Sequence, residues 1–535
     1  MRKTWQITVL LLVVLALIAG VPASARAEES QELTFVLHNE PDGIDPNVTS
    51  NSFASPFLAN AFEGLVRTNR DNELEPAQAE SWEISEDGLT YTFTLREGLK
   101  WSDGTPLTAE DFVYSMKRVL TPETAAQYVT MVTGYIVGAD ALYNGEEGEE
   151  LGVKALDERT LEIKLMEPAP YFLDILSMWV FMPVQEATIE ANGDKWTLSP
   201  EAYVCNGPFK ITEMNLGESV VMVKNDEYWD AENVKLEKVT FRYIKEQATA
   251  LTAFETDEID GFREVPLADV PRLKAESDDF YTLPAYGTTY YLLNNAKAPY
   301  DDVNVRKALN LALDRQSLIE NVLMSADTPA TGLVAPGYAV SGVDYTEGRS
   351  DYDISTTADV EAAKALLAEA GYPDGEGFPT MQLSYYTNPQ VKKIVEAMAQ
   401  MWTDNLGIEV EISTEEWAVY YTNVQAGNYE VAAMGWGADY LHPMTFFPLF
   451  VTGESYNNTF YSNADYDAKV AEAKKEMDPE TAVTLMREAE DILMADYPAV
   501  FLYYRNTNLM MKPYVKDWYL TPTNNLVFRE AYIER

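Results

Sequence analysis

Strand-like and helix-like segments alternate along the whole chain, which predicts an α/β protein. Two further observations refine that class. At 535 residues the chain is too long for one hydrophobic core, so two or three domains are expected. Helix–glycine–strand units recur in the second half, and such units build doubly wound lobes. No short repeat, low-complexity tract or long linker interrupts them.

The elements follow in order. Residues 33–37 read as an opening strand. In residues 74–115, a strand around Trp82 ends in the turn Glu86-Asp87-Gly88. A strand of period two follows, with Tyr91, Phe93 and Leu95 on one face and Thr90, Thr92 and Thr94 on the other. The turn Asp103-Gly104-Thr105-Pro106 leads to Thr108, an expected N-cap, with Glu110 and Asp111 in the first turn and Phe112, Val113 and Met116 on an apolar face. Residues 221–224 and 238–244 read as strands, 248–254 as a short helix, and 290–295 as a strand running into a turn. The pattern changes near Asn304. Residues 304–324 read as one long helix on Val305, Leu309, Leu313 and Ile319. Residues 359–370 read as another, on Val360, Ala363, Leu366, Leu367 and Ala370, with Gly371 as its C′ residue. Residues 394–405 form a third, and Leu406-Gly407 delivers a strand at 408–412.

The N-terminus indicates destination. Arg2 and Lys3 precede the apolar run 7–20, and Ala25-Arg26-Ala27 offers small residues for cleavage before Glu28. Residues 1–27 are therefore expected to be a secretory signal peptide, the run being shorter than the ~20 residues of a spanning helix. Leu17-Ile18-Ala19-Gly20 resembles the start of a lipobox, but Val21 stands where the lipid-accepting cysteine belongs, so no lipid anchor is expected. The mature form is expected outside the cytoplasmic membrane, in a periplasm or at the cell surface, as a monomer. A formal charge of −47 repels nucleic acid and anionic lipid. Apolar content of 47% rules out a disordered chain. Cys205 is the single cysteine, so no intramolecular disulfide can form, and a buried, inert thiol is expected. The two histidines, His38 and His442, are far apart, which argues against zinc chemistry and a Ser–His–Asp triad. No cofactor or metal is expected.

Residues 74–115 also closely resemble, without a gap, the signature of the family 5 solute-binding proteins, the oligopeptide and dipeptide receptors of bacterial ABC importers. Phe62-Glu63-Gly64-Leu65, Asn206-Gly207-Pro208-Phe209, Asp226-Glu227-Tyr228-Trp229, Val305-Arg306-Lys307-Ala308 and Asp314-Arg315 match further blocks. Phe254 to Gly261 matches another, with Asp257 in place of a glycine. The resemblance covers essentially the whole mature chain. It implies a type II periplasmic-binding-protein fold: two lobes around a hinged ligand cleft, with an extra domain inserted in the first lobe. Residues 28–62, 186–288 and 507–535 would form that first lobe, 63–185 the insertion, and 289–506 the second lobe.

Gly435-Trp436-Gly437-Ala438-Asp439-Tyr440, followed by Pro443 and Phe446, resembles the family's peptide-receptor motif. The resemblance implies that Asp439 holds the α-ammonium of a bound peptide. A cation stripped of water in a closed cleft needs such a carboxylate, although an isolated Gly-x-Asp is more readily a solvated turn. Gly435 and Gly437 would let the ligand approach the backbone. Trp436 and Trp417 resemble pocket-lining aromatics, core packing being the alternative. Tyr128 aligns with a cleft tyrosine of the insertion. Residues 290–294, with Tyr291 and Asn294 as ligand candidates, are similar to a strand that pairs with an extended ligand. Tyr503 and Tyr504 either face the cleft or pack the hinge, Tyr504 being the cleft candidate. Two departures stand out. The basic residue that holds a peptide carboxylate in relatives is Ala433 here, and a second, histidine-type anchor falls near Val391, beside Lys392 and Lys393. The expected partners are a peptide and a membrane permease.

Two other readings stay open. The same receptor class could serve an oligosaccharide, a metal chelate or a cationic amine. A secreted hydrolase would need a carboxylate pair of defined geometry, and no G-x-S-x-G motif supports one.

Overall fold

The structure, a computed structural model, describes residues 30–146 and 150–535. The expected leader lies outside the described residues. The chain opens with β1 (Glu32–Leu37), then builds a separate antiparallel sheet from β2 (Ala79–Ile84), β3 (Thr90–Leu95), β4 (Val153–Ala155) and β5 (Thr160–Lys164), in the order β2-β3-β5-β4, with α1 (Ala109–Val119) against it. It returns through β6 (Phe209–Asn215), β7 (Ser219–Lys224), β8 (Lys238–Tyr243), α2 (Gln247–Glu255) and β9 (Gly261–Arg263). The long β10 (Phe280–Leu293) leads to α3 (Val303–Leu311), α4 (Val360–Glu369), β11 (Met381–Tyr386), α5 (Pro389–Leu406), β12 (Val410–Glu415), α6 (Trp417–Gln425) and β13 (Val431–Gly437). The equally long β14 (Ala499–Met511) closes the main sheet. Its order is β12-β11-β13-β10-β14-β9-β1-β8-β7-β6, with Thr328–Pro329 pairing beside β14.

Two strands serve both halves of this sheet. Residues 280–284 of β10 pair with 506–510 of β14 on the β9 side, and residues 288–292 pair with 499–504 on the β13 side. The register shifts between Pro284 and Thr288, so the ladder is interrupted where one half passes into the other. In the second half both faces are covered. Tyr290, Leu292 and Phe501 join the large core on one face, while Tyr291 and Leu293 pack with Leu309, Met398 and Trp402 on the other. A strand buried on both faces reads as a continuous apolar run, which is why Tyr290-Tyr291-Leu292-Leu293 carries no alternation.

The local signals of residues 74–115 act as expected. Tyr91, Phe93 and Leu95 are buried and the three threonines between them are half-buried. The Thr108 N–H donates to Asp111 Oδ2 at 2.7 Å at the start of α1. The Trp101–Pro106 turn is scaffold: Ser102 N–H donates to Cys205 O at 2.8 Å, and Gln185 Nε2 to Asp103 Oδ2 at 3.1 Å. Cys205 is buried, and burial pushes its thiol up to about 12, which leaves it inert.

Helix boundaries differ in two places. The helix expected at 394–405 begins earlier, at Pro389, because Asn388 Oδ1 accepts from Gln390 N at 2.8 Å and Val391 N at 3.1 Å. The expected long helix 304–324 is broken. α3 stops at Leu311, and Asp314 restarts the chain by accepting from Ser317 N at 2.8 Å. The cause is tertiary: buried Arg315 turns inward and donates to Asn310 O at 3.0 Å and to Phe501 O on β14 at 2.7 Å. The apolar positions that suggested a continuous helix are all buried, but from separate turns. Asp314→Ala discriminates the two geometries. A cap at this position makes the substitution cost about 1 kcal/mol in urea unfolding, whereas the interior of a continuous helix would gain up to ~0.7 kcal/mol from alanine.

Candidate functional site

A cavity of about 530 Å³ lies where the segments around Tyr128 and Trp179, the end of β13, the crossing strands and the C-terminal segment from Tyr519 to Arg529 meet. Tyr128 and Trp179 line it from one side, Gly437 and Asp439 from another, and Tyr503 and Arg505 from β14.

Asp439 is placed by its neighbours. Beyond β13, Ala438 N–H donates to Tyr286 O at 2.9 Å and carries the ladder one residue further. Asp439 N–H donates to Thr445 Oγ1 at 3.3 Å. Tyr440 then stacks on Tyr171, ring centroids 5.9 Å apart, and His442 lies at 5.0 Å on the same ring. His442 is buried, and burial pulls it down to about 3, so it is a neutral packing group. The half-buried Asp439 carboxylate thus sits between two anchored residues, and Tyr128 Oη donates to its Oδ1 at 3.0 Å. Burial pushes Asp439 up to about 6, against the Tyr128 hydroxyl, which favours the charge.

Glu63, on the same cavity wall, is a contrast. Burial raises it, but Arg67 and Arg529, with Tyr228 and Trp229, leave it below the usual carboxylate range. Arg67 Nη1, Tyr228 Oη and Trp229 Nε1 all donate to it at 2.6 Å, and Gln78 Nε2 at 2.9 Å. Glu63 is saturated by its own protein. Asp439 holds one neutral side-chain donor among the described residues.

The strand edge differs from the expectation. Residues 290–293 of β10 lie between β13 and β14, so that strand has no edge for a ligand. The open edge belongs to β13. Asn294 N–H donates to Glu430 O and Ala438 N–H to Tyr286 O, so the even-numbered residues of β13 bond to β10. Alternation directs the backbone groups of Gly435 and Gly437 to the other edge, where β11 pairs only with Val431 and Ala432. Gly435 has a second reason to be glycine: a Cβ there would stand 2.2 Å from Arg505 Nη2 and 3.0 Å from Thr288 O.

The remaining candidates separate into cavity and scaffold. Tyr128 lines the cavity. Trp436 is half-buried against Tyr456, 5.3 Å between centroids, and its buried indole N–H has no hydrogen-bond partner among the described residues. Trp417 is 51% exposed, stacked on Tyr421 at 5.3 Å, and lines neither this cavity nor the smaller one beside it. Asn294 is corrected to scaffold: it is buried and its Nδ2 donates to Gly427 O at 3.2 Å and Tyr429 O at 3.1 Å. Tyr291 is corrected to core, meeting only the smaller cavity of about 200 Å³. Tyr504 is corrected likewise: its hydroxyl accepts from Thr331 N and donates to Gly332 O, each at 3.2 Å, inside the core. Its neighbour Tyr503 faces the cleft, because the crossing strand alternates. Arg505 was missed. The sequence signal for it was available only as alternation: two positions from Tyr503, it shares that residue's face.

The profile of the bacterial extracellular solute-binding proteins, family 5 middle region, matches residues 73–458. The oligopeptide-binding protein OppA of Bacillus subtilis strain 168 is 33% identical, over 100% of both chains. Among solved structures, the unliganded open form of the periplasmic murein tripeptide-binding protein MppA superposes with a TM-score of 0.79 at 33% identity, covering 95% of this chain and 98% of the other. Haemophilus influenzae OppA in complex with RPPGFSPFR superposes with a TM-score of 0.75 at 33% identity, covering 95% and 99%.

The Tyr128–Asp439 contact makes a prediction. Tyr128→Phe removes the donor that favours the charged carboxylate, so the Asp439 titration moves above its value of about 6. A carboxyl carbon chemical-shift titration of the variant measures it, and an unmoved midpoint would contradict the contact.

Proposed function

The chain belongs to the family 5 bacterial extracellular solute-binding proteins, and from that premise we propose that it captures peptides in the cleft and delivers them to the membrane permease of an ABC importer. The observation that carries this reading is Asp439: a carboxylate at the cavity wall with no cationic partner among the described residues. A peptide α-ammonium entering the cavity loses hydration and regains it as a charge-assisted hydrogen bond to Asp439. Tyr128 orients the carboxylate from the far side. The open edge of β13 at Gly435 and Gly437 supplies main-chain donors and acceptors to an extended ligand. Main-chain pairing of this kind is indifferent to side-chain identity. The named relatives support the ligand class, one of them by its complex with RPPGFSPFR.

The working cycle is binding without turnover. The open protein admits the ligand, the lobes close about the interrupted β10–β14 ladder, and the closed form docks on the permease. The site of action is outside the cytoplasmic membrane, with the mature chain a monomer free of a lipid anchor.

Two outcomes test the reading. Calorimetry with a free-amine peptide and its N-acetylated twin should show at least a tenfold preference for the free amine, about the worth of a hydrogen bond to a charged group. Asp439→Asn should erase it, and equal affinities in the parent protein would remove Asp439 from the site. Acid also weakens binding. Only the carboxylate pairs with an ammonium, and Asp439 takes up its proton near 6, so affinity falls as pH drops through that value, by roughly tenfold per unit below it. For folding the sign is opposite. The raised value means the folded state binds this proton more readily than the unfolded chain, so protonation of Asp439 stabilises the fold as pH falls through about 6.

A further inference from the structure

Beside the main cavity lies the smaller one, about 200 Å³, and Tyr503 and Arg505 line both. Ala433 and Val391, the two positions where a basic anchor was sought, both line the smaller cavity. Lys392 and Lys393 are exposed, and Lys392 is paired with Glu396 at 3.7 Å. Neither lysine lines either cavity. The one cationic side chain on the wall of the smaller cavity, among the described residues, is Arg505.

Its setting is unusual for a chain of charge −47. Among the described residues no carboxylate lies within ion-pair distance of Arg505. Its Nε donates to Thr289 Oγ1 at 3.0 Å, which fixes the plane of the guanidinium and leaves both Nη groups for another partner. The group lies over Gly435, in space that any side chain there would fill. Asp327 feels its charge, and that carboxylate is already engaged by Asn506 N–H and by Ser325 Oγ, each at 2.7 Å. Tyr386 and Tyr503 beside it are neutral hydroxyls.

We propose that Arg505 is the carboxylate anchor of this receptor: it receives the C-terminal carboxylate of the bound peptide, reaching from β14 into the cavity that Ala433 and Val391 leave empty. This rests on the peptide reading above. Asp439 and Arg505 then form a pair of opposite charges at the two ends of one ligand. Gly435, under the guanidinium, is four residues from Asp439, a span of at most ~13 Å in extended chain. That separation suits a peptide of about three or four residues whose ends are both free. A guanidinium offers two parallel N–H groups to a carboxylate, and an amide in its place can match only one of them.

Calorimetry on ligand-stripped protein decides, with trialanine, tetra-alanine, their C-terminal amides and their N-acetyl forms as probes. The parent protein should bind each free acid about 10- to 100-fold tighter than its amide. Arg505→Met should bind acid and amide alike, while keeping its preference for a free amine over the N-acetyl form. Arg505→Lys should restore part of the acid preference, as a point charge without the fork. Equal binding of acid and amide by the parent protein overturns the role of Arg505 and leaves the peptide function standing. An acid preference that survives in Arg505→Met does the same. Failure of every peptide to bind overturns the peptide reading, and this inference with it. Should Arg505→Met not fold, the acid-to-amide ratio of the parent protein, tenfold or more against unity, separates the two outcomes.

Discussion

The interrupted pairing of β10 with β14 is the constraint on which the rest of the molecule depends. Two strands of 14 and 13 residues cross from one half of the sheet to the other and hold both together. A continuous ladder would make that crossing stiff. Here it breaks between Pro284 and Thr288, and Asn506, opposite Pro284, gives its N–H to Asp327 instead of across the ladder. A buried backbone group must find a partner, and a side-chain carboxylate supplies it at the point where strand pairing lapses. The same break leaves room for a cavity, which is why Ala285, Tyr503, Arg505 and Asn506 all line it. The break and the cavity are one place because both require that backbone pairing stop.

Acidic residues are abundant in this chain, so carboxylate identity alone selects nothing. Donor count does. Glu63 receives four side-chain donors and is held ionised as part of the wall. Buried Glu490 receives Tyr345 Oη at 2.6 Å and Leu333 N–H at 2.7 Å, with Arg349 at 3.7 Å, and belongs to the core behind Tyr504. Asp439 has, among the described residues, a single phenol, and it lines the cavity. A carboxylate held half out of water with too few donors is destabilised as an ion, and an arriving cation relieves it. The fold accepts that cost at Asp439 on the cavity wall, and also at Asp174, which burial pushes up to about 7 away from the cavity.

Local chemistry was legible to the extent that it was local. The threonine–aromatic alternation of residues 90–95, the Thr108 capping pair, Gly371 at φ 98° after α4 and Gly407 at φ 71° after α5 each act through neighbours a few residues away. Where a distant group intervened, the reading failed. The apolar spacing of residues 304–324 describes a helix, and only Arg315 reaching a carbonyl on β14 breaks it. Tyr504 and Tyr503 are equivalent in sequence, and the pleat of a strand laid across two lobes sends one into the core and the other into the cleft. Asn294 looked like a ligand contact and instead ties down the loop that carries Gly427 and Tyr429.

By itself the sequence determined the family and the α/β class and singled out the acid at position 439 as a candidate, because motif spacing and short-range periodicity are properties of contiguous residues. The tertiary structure alone decided what surrounds that acid. Tyr128 meets Asp439 across 311 positions, Arg505 lies over Gly435, and β13, not β10, offers the free edge. Each of these depends on strand order and register in a sheet assembled from segments far apart in the chain, and no local pattern encodes which of two strands ends up inside.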